Sequence, residues 1–170
     1  MFLLLFGSMS FANEIYIDQV GDNLDLDITQ DGSSNQFGDS TTAVDLDGDD
    51  MTFSITQTGN NNDIAAVING NSYTGTWQFT GDYNTVDLTC DSGGTNCENI
   101  TLNITTTGDT NDFTFAIGGT ADADGSTINF TVTGDNNITN TTVDGKSAAI
   151  TVVIDNSATL STATPTAGSS

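Results

Sequence analysis

The chain has no histidine and no arginine, and Lys146 is its single cation against 23 acidic residues, for a net charge of −22. Phosphate recognition rests on Lys and Arg, so nucleic acid is excluded as a partner and anionic lipid is repelled. Without imidazole or guanidinium, only carboxylates and hydroxyls remain for chemistry. A carboxylate pair can cleave glycosides, but nothing sets two acids beside a cleft, and the chain reads as no enzyme. Cysteine is scarce too: Cys90 and Cys97 are the only two. A thiolate metal site wants more Cys or His than that, so a disulfide closing the base of a loop is the expected pairing, suited to an oxidising compartment.

Long apolar runs are missing except at the start. Residues 2–12, FLLLFGSMSFA, form an apolar stretch with Ser10 and Ala12 placed as in a signal-peptidase site. It is too short to span a bilayer as a helix. Residues 1–12 are therefore expected to be an export signal, the alternative being a hydrophobic first strand. The protein is expected to be secreted or at the cell surface, without membrane insertion once the signal is cleaved.

What is abundant is alternation. Over Met51–Gly70, Met51, Phe53, Ile55 and Gln57 alternate with Thr52, Ser54, Thr56 and Thr58, the period of a half-buried strand. A turn of Gly59 and three asparagines follows, then a second alternation through Ile64, Ala66 and Ile68. The unit repeats. The glycine ending each first strand falls at Gly32, Gly59, Gly81, Gly108 and Gly134, with Asn156 in sixth place, giving steps of 27, 22, 27, 26 and 22 residues. A second set, Gly21, Gly48, Gly70 and Gly145, precedes markers of the first by 11 residues. Each coil is thus two 11-residue halves, and the longer coils carry an insertion of four or five residues in the second half. The acidic string around Asp45, the segment from Cys90 to Cys97, and the segment Gly118 to Gly125 are assigned to these insertions.

A sheet two strands wide cannot bury an apolar face alone, and stacked coils can. The expected fold is all-β: a β-solenoid with two short strands per coil, five to six coils, over residues 13–156. The Ser/Thr-rich residues 157–170, with Pro165, are expected to be a disordered tail. Inward positions include Ile28, Phe53, Ile55, Trp77, Phe79, Ile104 and Phe130, and Ile64, Leu88, Phe113 and Phe115 on the opposite strands. Asn35, Asn62, Asn84, Asn111 and Asn137 each lie three residues after their glycine. Stacked, they would form a ladder along the axis that satisfies turn backbone groups.

The pattern Gln-x-Gly-x-x-Asn, standing here as Gln30-Asp31-Gly32-Ser33-Ser34-Asn35 and Gln57-Thr58-Gly59-Asn60-Asn61-Asn62, resembles the curlin repeat of curli fibre subunits. A shortened form opens at Gln19, and later turns at Gly81, Gly108 and Gly134 keep Gly and Asn without Gln. The resemblance spans about residues 15 to 156 and is strongest before 70. It implies a secreted two-strand-per-coil solenoid that polymerises end to end into cell-surface amyloid fibres. The insertions, the acidity and the lost Gln positions depart from that pattern.

Three further features bear on function. Asp45, Asp47, Asp49 and Asp50, with Asp122 and Asp124 in a later loop, have the oxygen chemistry of a Ca²⁺ site. Their spacing matches neither an EF-hand loop nor the GGxGxD calcium solenoids, and solvated acidic loops are the simpler reading. The outward face of the first strands, with Thr52, Thr56, Thr74, Thr76, Thr101, Thr105, Thr131 and Thr133, forms a threonine array like that of solenoid ice-binding proteins, although exposed strands favour Thr anyway. The last coil is apolar on both faces through Ala149 and Val153 and through Ile150, Val152 and Ile154, which suits either a docking edge or a hydrophobic last coil covered by the Ser/Thr tail. The function that fits these features is a secreted fibre or adhesin subunit that self-associates by strand stacking. The alternatives are a monomeric module binding ice or a glycan through its Thr face, and a fibre component of a virion.

Overall fold

A computed structural model describes residues 14–32, 35–38, 41, 43–90, 97–118, 123–145, 147–155 and 159–166. The expected export signal and the sixth marker, Asn156, lie outside them. The described chain is all-β and winds through about five turns of a parallel β-solenoid. One sheet, here called the first-strand sheet, holds six strands: β3 (Asp25–Asp31), β6 (Thr52–Thr58), β8 (Thr74–Thr80), β10 (Thr101–Thr107), β12 (Thr127–Thr133) and β14 (Ala149–Asp155). The opposing sheet holds β7 (Asp63–Asn69), β9 (Thr85–Cys90), β11 (Asp112–Ile117), β13 (Ile138–Asp144) and β15 (Thr159–Thr166). It begins with two broken strands, β1 (Glu14–Ile15) with β2 (Asp18–Val20), and β4 (Gln36–Phe37) with β5 (Val44–Asp47). Together β1 and β2 form a half-coil that opens the solenoid ahead of β3.

Every pairing is parallel, and the register follows the glycine markers. Asp25 pairs with Thr52, Thr52 with Thr74, Thr74 with Thr101, Thr101 with Thr127 and Thr127 with Ala149. A slip of one residue would turn a whole inward row to solvent, so the alternation pins the register. The inward rows interdigitate across the sandwich. Across it Phe113 of β11 meets Phe130 of β12 edge to face with centroids 5.1 Å apart, and along the first-strand sheet Phe53 of β6 meets Trp77 of β8 in the same way at 5.9 Å. Such pairs add about 1 kcal/mol beyond area burial.

One inward position needs a glycine. A Cβ on Gly75 would stand 2.5 Å from Leu102 and 3.0 Å from the Tyr73 ring. Tyr73, one inward step earlier, fills the volume that Gly75 leaves, and its hydroxyl accepts a hydrogen bond from Trp77 Nε1 at 3.2 Å. Burial pushes the Tyr73 hydroxyl pKa well above its ordinary value, against a smaller lowering by that bond.

Two expectations are corrected here. The first insertion is not the acidic string. Phe37 pairs with Ile64, and Val44 with Ala66, so the extra residues fall between Phe37 and Val44, where the neighbouring coil has Ala65 alone. Asp45 and Asp47 are instead ordinary outward residues of β5 on either side of buried Leu46. The insertion had to go where the strand is interrupted, because the inward row Phe37, Val44, Leu46 must stay in step with Ile64, Ala66, Ile68. The second correction concerns the tail. Residues 159–166 were expected to lack structure, yet they form β15, paired with β13 through an irregularity at Thr139/Asn140. Low hydrophobicity suggested disorder, but an open sheet edge recruits a Thr-rich segment through backbone bonds that composition does not report.

Candidate functional site

Three features can carry function: the turns that stack along the axis, the open edges at the two ends, and the outward face of the first-strand sheet. The turns come first because they hold the coils together. Gly81, Gly108 and Gly134 have φ of 136°, 138° and 127°, a region L-residues rarely adopt. A Cβ on any of them would lie 2.0–2.2 Å from the carbonyl oxygen of the glycine one coil earlier. Glycine is therefore required twice over, for its conformation and for close approach.

Asn35, Asn62, Asn84, Asn111 and Asn137 are all buried. The backbone N–H of each of the first four donates to the side-chain oxygen of the next, at 3.1, 3.0, 2.7 and 2.7 Å. Asn62 and Asn84 also donate through Nδ2 to the carbonyls of Gly59 and Gly81, both at 2.9 Å. A second, exposed ladder runs in the opposite sense through the residue after each glycine. Asp82, Asp109 and Asp135 donate their N–H to the side-chain oxygens of Asn60, Asp82 and Asp109, at 2.9, 2.6 and 2.6 Å. The other turn has a similar ladder, with Asp49, Asn71 and Glu98 donating back to Asp22, Asp49 and Asn71. Four of the acids, Asp22, Asp49, Asp82 and Asp109, thus serve as turn acceptors.

A glutamine pair extends the polar column inward over two coils. Gln57 Nε2 donates to Gln30 Oε1 at 2.5 Å. The pair ends there because Phe79 takes the next place in the register, leaving Gln57 Oε1 buried without a partner.

With this geometry in place, comparison with known families is informative. Residues 11–32 and 21–66 match the family model described as the Curlin associated repeat. Residues 11–66 are thus similar to curlin repeats. No curated protein and no solved structure matches it. The matched stretch contains both Gln-x-Gly-x-x-Asn turns and the Gln30–Gln57 pair. Beyond residue 66 the coils keep the same strand register, with Phe79, Thr106 and Val132 in the row of the two glutamines. Curlin repeats on a β-solenoid support a curlin-like structural subunit.

The other sequence-derived sites are placed as follows. Cys90 and Cys97 form a disulfide with Cα atoms 6.1 Å apart, both buried. Cys90 lies in the inward row between Ile68 and Ile117, and Cys97 stands where the other coil has Gly70, so the bond closes the base of the insertion 91–96. Asp45 and Asp49 are engaged by Asn69 Nδ2 and the Asn71 N–H. Asp47 and Asp50 are exposed, and Asp122 lies outside the described residues. Among the described residues no three acidic or cysteine side chains gather where they could hold a metal ion.

The two faces differ. The outward positions of β6, β8, β10 and β12 fall into four aligned columns: Thr52, Thr74, Thr101, Thr127; Ser54, Thr76, Asn103, Asn129; Thr56, Gln78, Thr105, Thr131; and Thr58, Thr80, Thr107, Thr133. These sixteen positions carry twelve threonines and no charge. Acids flank them only at the ends, as Asp25, Asp27 and Asp31 on β3 and Asp155 on β14. The opposite face carries Asp45, Asp47, Asp63, Asp87, Asp112 and Asp144 on its outward positions. Composition alone does not reveal this partition; the alternation, read strand by strand, does.

Proposed function

We propose that this chain is a secreted, curlin-like fibre subunit that assembles end to end at the cell surface. One observation carries the reading. The first-strand sheet ends in β3 and in β14, each seven residues long and each paired on one side only among the described residues. A half-paired parallel strand presents a row of N–H and C=O groups that a further strand can satisfy. Continuing the register would lay Ala149–Asp155 of one copy along Asp25–Asp31 of the next. The half-exposed Ile150 and Val152 would then cover Leu26 and Ile28, and Val153, 53 % exposed, would meet Thr29.

The same register sets Asp155 against Asp31, and each copy carries a charge of −22. Assembly should therefore be slow at low ionic strength and accelerate as salt shortens the Debye length. Removing the acid at the interface, by Asp31→Asn, should relieve part of this dependence. The decisive experiment incubates the purified chain with and without Ca²⁺ across a salt series, following thioflavin fluorescence and imaging by electron microscopy. Fibres that form faster with salt support the reading. A chain that stays monomeric at high concentration under every condition rules it out.

A further inference from the structure

We infer that the threonine face of the first-strand sheet binds an ordered water lattice, that is, an ice surface. The argument starts from the face being periodic in two directions. In-register parallel strands repeat each column about every 4.8 Å across the sheet, and alternate residues repeat about every 6.7 Å along it. No register shift interrupts the four strands β6, β8, β10 and β12. Each threonine offers one methyl and one hydroxyl, and its β-branching restricts χ1, so the array is held in position before any ligand arrives. A ligand matched to such a face must itself repeat in two dimensions at these short distances, as crystalline water does. Methyl groups at fixed spacing order the water above them, while the hydroxyls tie that layer to the protein.

The competing occupants fit less well. Anionic surfaces are repelled by a protein of net charge −22. A sugar ring is held by stacking on an aromatic side chain and by carboxylates bridging its hydroxyls; the sixteen positions hold neither. A second copy docking face to face would bury only the platform, about 14 Å by 20 Å or roughly 300 Å². A stable complex needs about 800 Å² per partner, and both copies would bring their flanking aspartates together. The uncharged platform on an acidic body instead suits a neutral, extended surface that repeats at the same short distances.

The test measures thermal hysteresis and ice-crystal shaping with the full chain, kept at dilutions where light scattering shows monomers. That makes the outcome independent of fibre formation. Thr76→Lys and Thr105→Lys place a charge in the middle of the platform, and Thr142→Lys makes the same charge change on an exposed position of the opposite face. Hysteresis should be present in the parent chain, lost in the two platform variants and retained in Thr142→Lys, all with matching circular dichroism. If a lysine variant fails to fold, Thr105→Ser keeps the hydroxyl, removes the methyl and should still weaken hysteresis. No hysteresis in the parent chain, or equal loss from both faces, overturns the inference. Retention on a powdered neutral polysaccharide without hysteresis also overturns it, in favour of a glycan.

Discussion

Substituting alanine for glycine at two equivalent turns separates conformational strain from coil stacking. Gly32 and Gly81 have nearly the same φ, 132° and 136°, so alanine meets the same backbone penalty at each, about 1–3 kcal/mol. Their surroundings differ. At Gly32 the nearest atom to an added Cβ is Asn35 Nδ2 at 3.9 Å, ordinary contact. At Gly81 the Cβ would stand 2.0 Å from the Gly59 oxygen and 2.8 Å from Asn60 Oδ1. Relief requires the coils to part by more than an ångström. That breaks the bonds from Gly59 N–H to Thr80 O and from Asp82 N–H to Asn60 Oδ1, both 2.9 Å, at about 1 kcal/mol each. Gly81→Ala should therefore cost about 3–5 kcal/mol and Gly32→Ala about 2 kcal/mol less. The assay is urea unfolding of the monomer, followed by the emission of Trp77, which is buried, and by circular dichroism. If the two variants agree to within about 0.5 kcal/mol, the usual scatter of independent sites, the close glycine stack does not set the stability of these turns.

Other perturbations probe the core and the ladders. Asn84→Ala removes the acceptor of both the buried Asn62 N–H and its Nδ2, and should cost about 1–3 kcal/mol in the same unfolding assay. Reducing Cys90–Cys97 reopens a loop with a sequence separation of 7; the chain-entropy estimate for so short a loop is a loss of about 2 kcal/mol, read as a lower urea midpoint with unchanged strand content. The raised Tyr73 pKa makes a pH statement. Its neutral hydroxyl contributes stability fully below the unfolded value of 10.0. As pH rises above that value the unfolded chain ionises while the folded one does not, so stability should fall by about 1.4 kcal/mol per pH unit. Tyr73→Phe loses the Trp77 bond but should flatten that alkaline slope, as measured by urea midpoints from pH 9 upward.

The sequence by itself determined the coil period, the sheet parity and most of the core. These follow from local rules: a period of two puts alternate residues on one side, and the turn position at Gly32, Gly59, Gly81, Gly108 and Gly134, which needs a positive φ, selects glycine wherever it recurs. The constant offset of Asn35, Asn62, Asn84, Asn111 and Asn137 placed them in one column for the same reason. Only the tertiary structure decided how that column is bonded, since the direction of each hydrogen bond depends on which coil lies above and which below. It also decided that the extra residues fall between Phe37 and Val44, because the inward row on either side has to match the neighbouring coil. Gly75 leaves a gap in the inward row that Tyr73 fills, a compensation between inward positions that alternation cannot express. The β15 strand depends on an open β13 edge, which does not exist until the rest of the solenoid has formed. Periodicity along the chain is a local property and survives in the sequence; what one coil presents to the next is a property of the stack.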